Sequence, residues 1–220
     1  MYRKELAYYF ASPIAYIVIG LYLLTISLFL WVIPGQWNII DSGYAQVDGL
    51  FGLSPWLMML LCPALTMRLF AEERQTGTWD ILLVYQRSGL SSLVLAKFLA
   101  AWTLMLIALL PNLVHYFIVY AMAEPIGNID GGQFAGSFIG LMLISGTFLS
   151  LGVLAGCCTR SQIVAFILGA LLCFVLFWVI LQDHYSALSR GVMDLRDVLL
   201  FITIGIIALV GAILILSRKP

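Results

Sequence analysis

Glu72, Glu73, Arg74, Asp80 and Arg87 crowd into FAEERQTGTWDILLVYQRSG, residues 70–89, of a chain in which 10% of residues are charged. Side chains of both signs this close together can do acid–base chemistry or hold a partner by ion pairs. The rest of the chain favours the second. It carries no GxxxxGK[ST] loop to cradle phosphates, no HExxH and no GxSxG. A serine hydrolase working inside the bilayer would need a serine and a histidine meeting there. His115 is the one histidine in an apolar run, and Ser145 and Ser150 read as ordinary helix serines. His184 reads as a polar loop residue.

The residues around the charged cluster suggest how it is held. Glu72, Glu73 and Arg74 fall on the water-exposed end of a helix that runs past Arg68. Gly77 suits the left-handed residue that ends such a helix. Thr78 can cap a second short helix, with Asp80 in its first turn, where the dipole favours an acid. Trp79, Ile81, Leu82 and Leu83 make that second helix apolar, and Ser88-Gly89 ends it. The expectation is a helix–break–helix elbow over 72–89. The plainer alternative is a solvated loop with an interfacial tryptophan. An apolar short helix flanked by charge is costly, however, unless it rests on lipid or on a partner.

What must carry this elbow follows from composition. The chain is 63% hydrophobic, against about half in soluble domains. The excess lies in six runs, 14–33, 53–70, 93–121, 135–158, 163–182 and 198–216, each near the ~20 apolar residues that cross a bilayer. Barrel strands would alternate over ~10-residue segments instead. The first run is too long for a signal-peptide core and no small-x-small cleavage site follows it, so it reads as an uncleaved anchor.

The sides differ in charge. With six spans, nine of the eleven basic residues (Arg3, Lys4, Arg68, Arg74, Arg87, Lys97, Arg160, Arg218 and Lys219) fall on the side of the termini. Seven of the eleven acids fall on the other. The positive-inside rule places both termini and residues 70–89 in the cytoplasm.

In MYRKELAYYFAS, residues 1–12, Tyr2, Leu6, Tyr9 and Phe10 share one helix face while Arg3 and Lys4 lie off it. Such a helix would lie in the membrane interface. Ser12-Pro13 separates it from span one, because serine caps a new helix and proline suits its first turn. Ser54-Pro55 repeats that start signal before span two. Pro63 and Pro111 should kink spans two and three or free a carbonyl. Gly136/Gly140 and Gly152/Gly156 have the GxxxG spacing that permits close packing, within the chain or across a dimer. Cys62, Cys157, Cys158 and Cys173 all lie in apolar runs without a CxxC and read as buried thiols. Loops 34–52 and 122–134 look like ordinary connections. Residues 183–197, DHYSALSRGVMDLRD, place Tyr185, Leu188, Val192 and Leu195 at near-helical spacing, which suggests short helices folding back over the outer ends of the spans.

The run AEERQTGTWDILLVYQRSGLSSLVLAKFLA resembles the segment after the second span of ABC-2 type permeases. The pattern there is Glu-Glu/Lys-Arg, Gly-Thr-x-Glu/Asp-x-Leu-Leu, a serine turn, and Leu-x-x-Lys. Glu72, Glu73, Arg74, Gly77, Thr78, Asp80, Leu82, Leu83, Ser91 and Lys97 match it. RKELAYYFASPIAYI resembles the family's opening, and SRGVMDLRD, residues 189–197, resembles the gliding-motility-associated, GldF-like branch. Gln86-Arg87 stand where the family often has proline.

The resemblance implies an all-α membrane protein, a single transmembrane domain over 1–220. It would have six transmembrane helices, an N-terminal interfacial helix, a cytoplasmic coupling elbow between spans two and three, and short outer re-entrant helices between spans five and six. It implies a non-catalytic subunit of the bacterial inner membrane. ATP and magnesium would be bound by a separate cytoplasmic ABC ATPase, with no cofactor or metal in this chain and no nucleic acid as partner. Other partners would be a second permease chain or an identical copy, membrane lipid, and an auxiliary subunit with a large outer domain. Glu72, Glu73, Arg74, Gly77, Thr78, Trp79, Asp80 and Leu83 would couple to the ATPase. Arg3, Lys4 and Leu6 would mark the interfacial helix, and Arg190, Gly191, Asp194, Arg196 and Asp197 the outer helices.

Two other functions fit a polytopic chain. A self-contained secondary transporter or channel would want ionisable groups near the midplane, which the runs almost lack. A membrane scaffold worked by an ATPase would turn over ATP irrespective of any transported substrate.

Overall fold

The computed structural model describes residues 2–75, 77, 89–124, 127, 129–189 and 194–218. Among these the chain is helical and has no strand. Six segments are long and apolar enough to cross a membrane: Pro13–Trp31, Asp48–Ala71, Gly89–Met122, Gly131–Cys158, Gln162–Ser186 and Leu195–Ser217.

Helix α1 (Tyr2–Ala11) ends at Ser12, whose extended backbone (φ −93°, ψ 139°) breaks the chain. Ser12 Oγ accepts from the Ile14 amide at 3.4 Å, and Pro13 opens α2 (Pro13–Trp31). The short α3 (Ile39–Ser42) is capped by Asn38 and lies in what read as plain loop.

Helix α4 (Asp48–Gln75) starts well ahead of Ser54-Pro55, so that pair is not the helix start its sequence suggested. Both residues lie inside the helix, and the bundle supplies the reason. Pro55 has no N–H, which leaves the Phe51 carbonyl without its helical donor. The buried Tyr185 hydroxyl donates to that carbonyl at 2.8 Å. Ser54 is fully buried and shares a 2.9 Å hydrogen bond with the Tyr22 hydroxyl of α2. The proline is tolerated mid-helix because a neighbouring helix satisfies the freed oxygen.

Helix α5 (Gly89–Leu109) gives way at Pro111 to a 3₁₀ turn, Leu110–Asn112, and then to α6 (Leu113–Met122). The break predicted at Pro111 is there. Helix α7 (Gly131–Cys158) is capped by Asp130, whose Oδ1 accepts from the amides of Gly132 and Gln133. Helix α8 (Gln162–Leu176) runs through a π segment, Phe177–Leu181, into α9 (Gln182–Leu188). The segment after span five is therefore entered as a continuation of that span, not as a separate helix. Helix α10 (Leu195–Arg218) completes the bundle.

Helix α7 is the centre, packed on α4, α5, α8 and α10. Its glycines explain how α4 comes so close. A Cβ on Gly152 would run into Thr66 Oγ1, and one on Gly156 would lie 3.5 Å from the Thr66 carbonyl. Gly169 of α8 faces Pro63 in the same way, at 3.1 Å. At the other end a Cβ on Gly140 would meet Leu188 at 3.3 Å. Gly140, Gly152 and Gly156 are thus filled from within the chain, which accounts for their spacing without a dimer seam. The outer helices show the complementary pattern. Ile163, Ile167 and Leu171 of α8 and Leu199, Ile206 and Ile207 of α10 are exposed, as side chains facing lipid would be.

Candidate coupling site

The end of the bundle carrying α1, Gly77 and the α7–α8 turn is termed the near end, and the opposite end the far end. At the near end α4 and α5 converge on the elbow stretch, and one side chain ties them together. Lys97, two turns into α5, is 2% exposed. Its Nζ donates to Glu73 Oε1 of α4 at 2.6 Å and to Glu5 Oε2 of α1 at 3.4 Å. The Phe70 ring centroid lies 5.5 Å from the ammonium. A buried ammonium is stable only if paired and hydrogen-bonded. Here three helices from separate parts of the chain meet to satisfy it.

Helix α1 is held by more than this contact. Tyr9 is buried and donates to the Leu65 carbonyl at 3.0 Å, and the Tyr2 hydroxyl meets Thr103 Oγ1 at 2.8 Å. Burial foremost, and then the Glu5 charge, push the Tyr9 hydroxyl pKa well up, so it remains a donor. Leu6 is half-buried against the core, while Arg3 and Lys4 are exposed. The helix therefore leans along α5 with its cations outward. A motion of α1 must act on the Lys97 cluster.

Several residues singled out in the sequence fall here. Glu73 does not stand on water-exposed helix as the sequence suggested. Its side chain is 19% exposed and turned inward, because Lys97 is there to meet it. Gly77 has φ +72°, the left-handed geometry expected after the end of α4, and Gly89, which opens α5, has φ +81°. Glu72 and Arg74 lie on the last turn of α4. Their side chains, and Thr78, Trp79, Asp80 and Leu83, lie outside what the structure describes. Glu5 was missed. It shares a face with Tyr2, Leu6 and Tyr9, a spacing that could have revealed a carboxylate turned toward the bundle. Lys97 was legible as part of a motif, but its partners were not.

At the far end Asp194 Oδ1 accepts from the Arg196 amide at 3.0 Å, and both side chains are exposed. Asp197 is 6% exposed, and its Oδ1 lies 2.6 Å from His184 Nδ1. His184 is thus no free loop residue, since it ties α9 to α10. Arg190 and Gly191 lie outside the described residues.

Among the described residues no cluster of histidine, cysteine or acid could hold a metal ion. Cys62, Cys157 and Cys173 are buried. The near-end cluster joins α1, α4 and α5 through one buried ammonium.

A comparison with curated proteins gave no match. The family model described as ABC-2 family transporter protein matches residues 43–217. Most of the bundle lies within that match, including Lys97, Glu73 and the whole elbow stretch, and the chain belongs to the ABC-2 transporter family.

Proposed function

We propose that the chain is the membrane-spanning subunit of an ABC-2 complex in which a separate cytoplasmic ABC ATPase binds and hydrolyses ATP. The observation that carries this is the convergence of α1, α4 and α5 on buried Lys97. Residues 72–89, the expected elbow, join the end of α4 to the start of α5 in the chain. A push on it reaches α1 and the core together. Helix α4 then passes the movement to α7 across the glycine seam, where close packing leaves little slack. The elbow can transmit energy only if its contact with the ATPase differs between conformations. In this account Glu72, Glu73 and Arg74 orient the elbow, and Trp79, Asp80 and Leu83 enter the groove of the ATPase.

The complex would reside in a bacterial inner membrane with both termini cytoplasmic. A second permease chain or an identical copy would complete the translocation unit. The likeness of residues 189–197 to the GldF-like branch supports a role in gliding motility, with an auxiliary subunit bearing a large outer domain. ATP hydrolysis would then serve export or mechanical work.

The test is co-purification. Asp80→Lys combined with Trp79→Ala should lower recovery of the ATPase with the tagged chain and abolish its stimulation of ATP turnover. Unchanged recovery together with unchanged turnover would overturn the proposal.

A further inference from the structure

Helices α5, α7 and α10 enclose a slot of about 190 Å³. Gly146 and Thr147 of α7 line one side, and Phe201, Gly205 and Ile206 of α10 another. Phe98 and Trp102 of α5 form the third wall, stacked at 6.1 Å with 18° between their planes. Glycine at 146 lets the indole lie against α7, since a Cβ there would stand 3.4 Å from Trp102 Nε1. Gly146 and Thr147 lie midway along Gly131–Cys158, and Gly205 and Ile206 midway along Leu195–Arg218. The slot therefore lies near mid-depth of the spans, away from either headgroup layer.

The slot offers a guest little to hydrogen-bond. Trp102 and Thr147 are the polar side chains of its lining, and both are engaged within the bundle. Trp102 Nε1 donates to the Met142 carbonyl at 3.3 Å, and Thr147 Oγ1 lies 3.1 and 3.2 Å from the Leu143 and Phe201 carbonyls. An apolar cavity of about 150 Å³ stays dry and accepts a hydrocarbon guest. Ile202 and Ile206 are 44% and 55% exposed on the flank of α10 that faces lipid, so the slot opens sideways into hydrocarbon. A helix about 10 Å across, rising about 5.4 Å per turn, fills roughly twice this volume in a single turn. A partner helix is too thick to enter, whereas a single acyl chain is not.

We propose that this slot binds the acyl chain of a bilayer lipid. The chain enters past Ile202 and Ile206, lies along Phe98 and Trp102, and ends against Gly146 and Gly205. Only hydrocarbon is recognised, and the headgroup stays outside. The proposal does not depend on the coupling account.

The test uses the purified full chain, delipidated in detergent and titrated with phosphatidylcholine brominated along its acyl chains. Bromine quenches an indole that it touches, and the share of Trp102 is the difference between the unaltered chain and Trp102→Phe. Trp102 emission should fall along a saturating curve. Dodecane, a chain without a headgroup, should reverse the fall. Phosphatidylglycerol with the same brominated chains should give the same curve. A Cβ on Gly205 meets nothing nearer than Ser150 Oγ at 3.7 Å, so Gly205→Leu can be built and its branch occupies the slot. That variant should lose the saturable fall. If Gly205→Leu fails to fold, dodecane competition on the unaltered chain still decides. Quenching of Trp102 that grows in proportion to lipid without saturating, no reversal by dodecane, a curve that changes with the headgroup, or a saturable fall in folded Gly205→Leu would each overturn the proposal.

Discussion

Lys97 Nζ lies 2.6 Å from Glu73 Oε1 but 3.4 Å from Glu5 Oε2, so one ammonium serves two carboxylates unequally. The shorter pair links α4 to α5, and the longer adds α1. Both carboxylate side chains are less than one-fifth exposed, so salt screens them weakly.

Lys97→Met should therefore be the most damaging change at the near end. It leaves two carboxylates facing a vacated site, and breaking a buried pair from one side costs roughly 3–5 kcal/mol. Glu73→Gln keeps a hydrogen-bond acceptor and should cost less, and Glu5→Gln least. Thermal unfolding in detergent should rank the apparent Tm values in that order. A Glu5→Gln loss equal to that of Lys97→Met would show that the inequality in the two distances has no energetic meaning.

The glycine seam makes a second prediction, in which two substitutions compensate. Gly152→Ala drives a methyl group into Thr66 Oγ1, and overpacking of this kind costs about 1–3 kcal/mol. Thr66→Ala removes the first atom met, leaving a 3.2 Å approach to Cβ. The double variant should recover most of the stability lost in Gly152→Ala. Gly20 of α2 has nothing within 4 Å of its Cβ position, so Gly20→Ala should leave the melting curve where it was.

How much of this was legible in the sequence depended on the range of each signal. The spans were, because hydropathy sums over neighbours in the chain. So was the Ser12-Pro13 break, a local cap. Ser54-Pro55 carries the same two letters and misled. What separates them is Tyr185, 134 residues from Phe51, whose hydroxyl repairs the helix. The Glu5–Lys97 contact spans 92 residues and His184–Asp197 closes a helix pair, so neither leaves a mark in local spacing. The elbow was read from a motif, and its shape over 78–88 lies outside the described residues.

Membrane orientation gives a third prediction. Tyr44 is 73% exposed on the far end, and Arg3 is exposed on the near end. In intact cells an impermeant maleimide should label Tyr44→Cys but neither Arg3→Cys nor Thr78→Cys. After permeabilisation all three should react. Cys62, Cys157 and Cys173 are buried and should add little background. Labelling of Thr78→Cys in intact cells would put the elbow on the wrong face for an ATPase and remove the basis of the coupling account.

The repaired proline at Pro55 gives the fourth. Tyr185→Phe keeps the ring but withdraws the hydroxyl from the Phe51 carbonyl, leaving that oxygen buried without a donor. Such a loss costs about 1–3 kcal/mol. Pro55→Ala restores a backbone N–H four residues after Phe51, and the helix can then satisfy the carbonyl itself. In that background the tyrosine hydroxyl is no longer needed, and Tyr185→Phe should cost far less than it does beside proline. The sign of the coupling is what matters. If the hydroxyl served some unrelated purpose, Tyr185→Phe would cost the same in both backgrounds, whereas a repair predicts that the two substitutions together unfold at a higher temperature than Tyr185→Phe alone. Thermal melts of the four proteins in one detergent, read as a double-mutant cycle, decide between these outcomes.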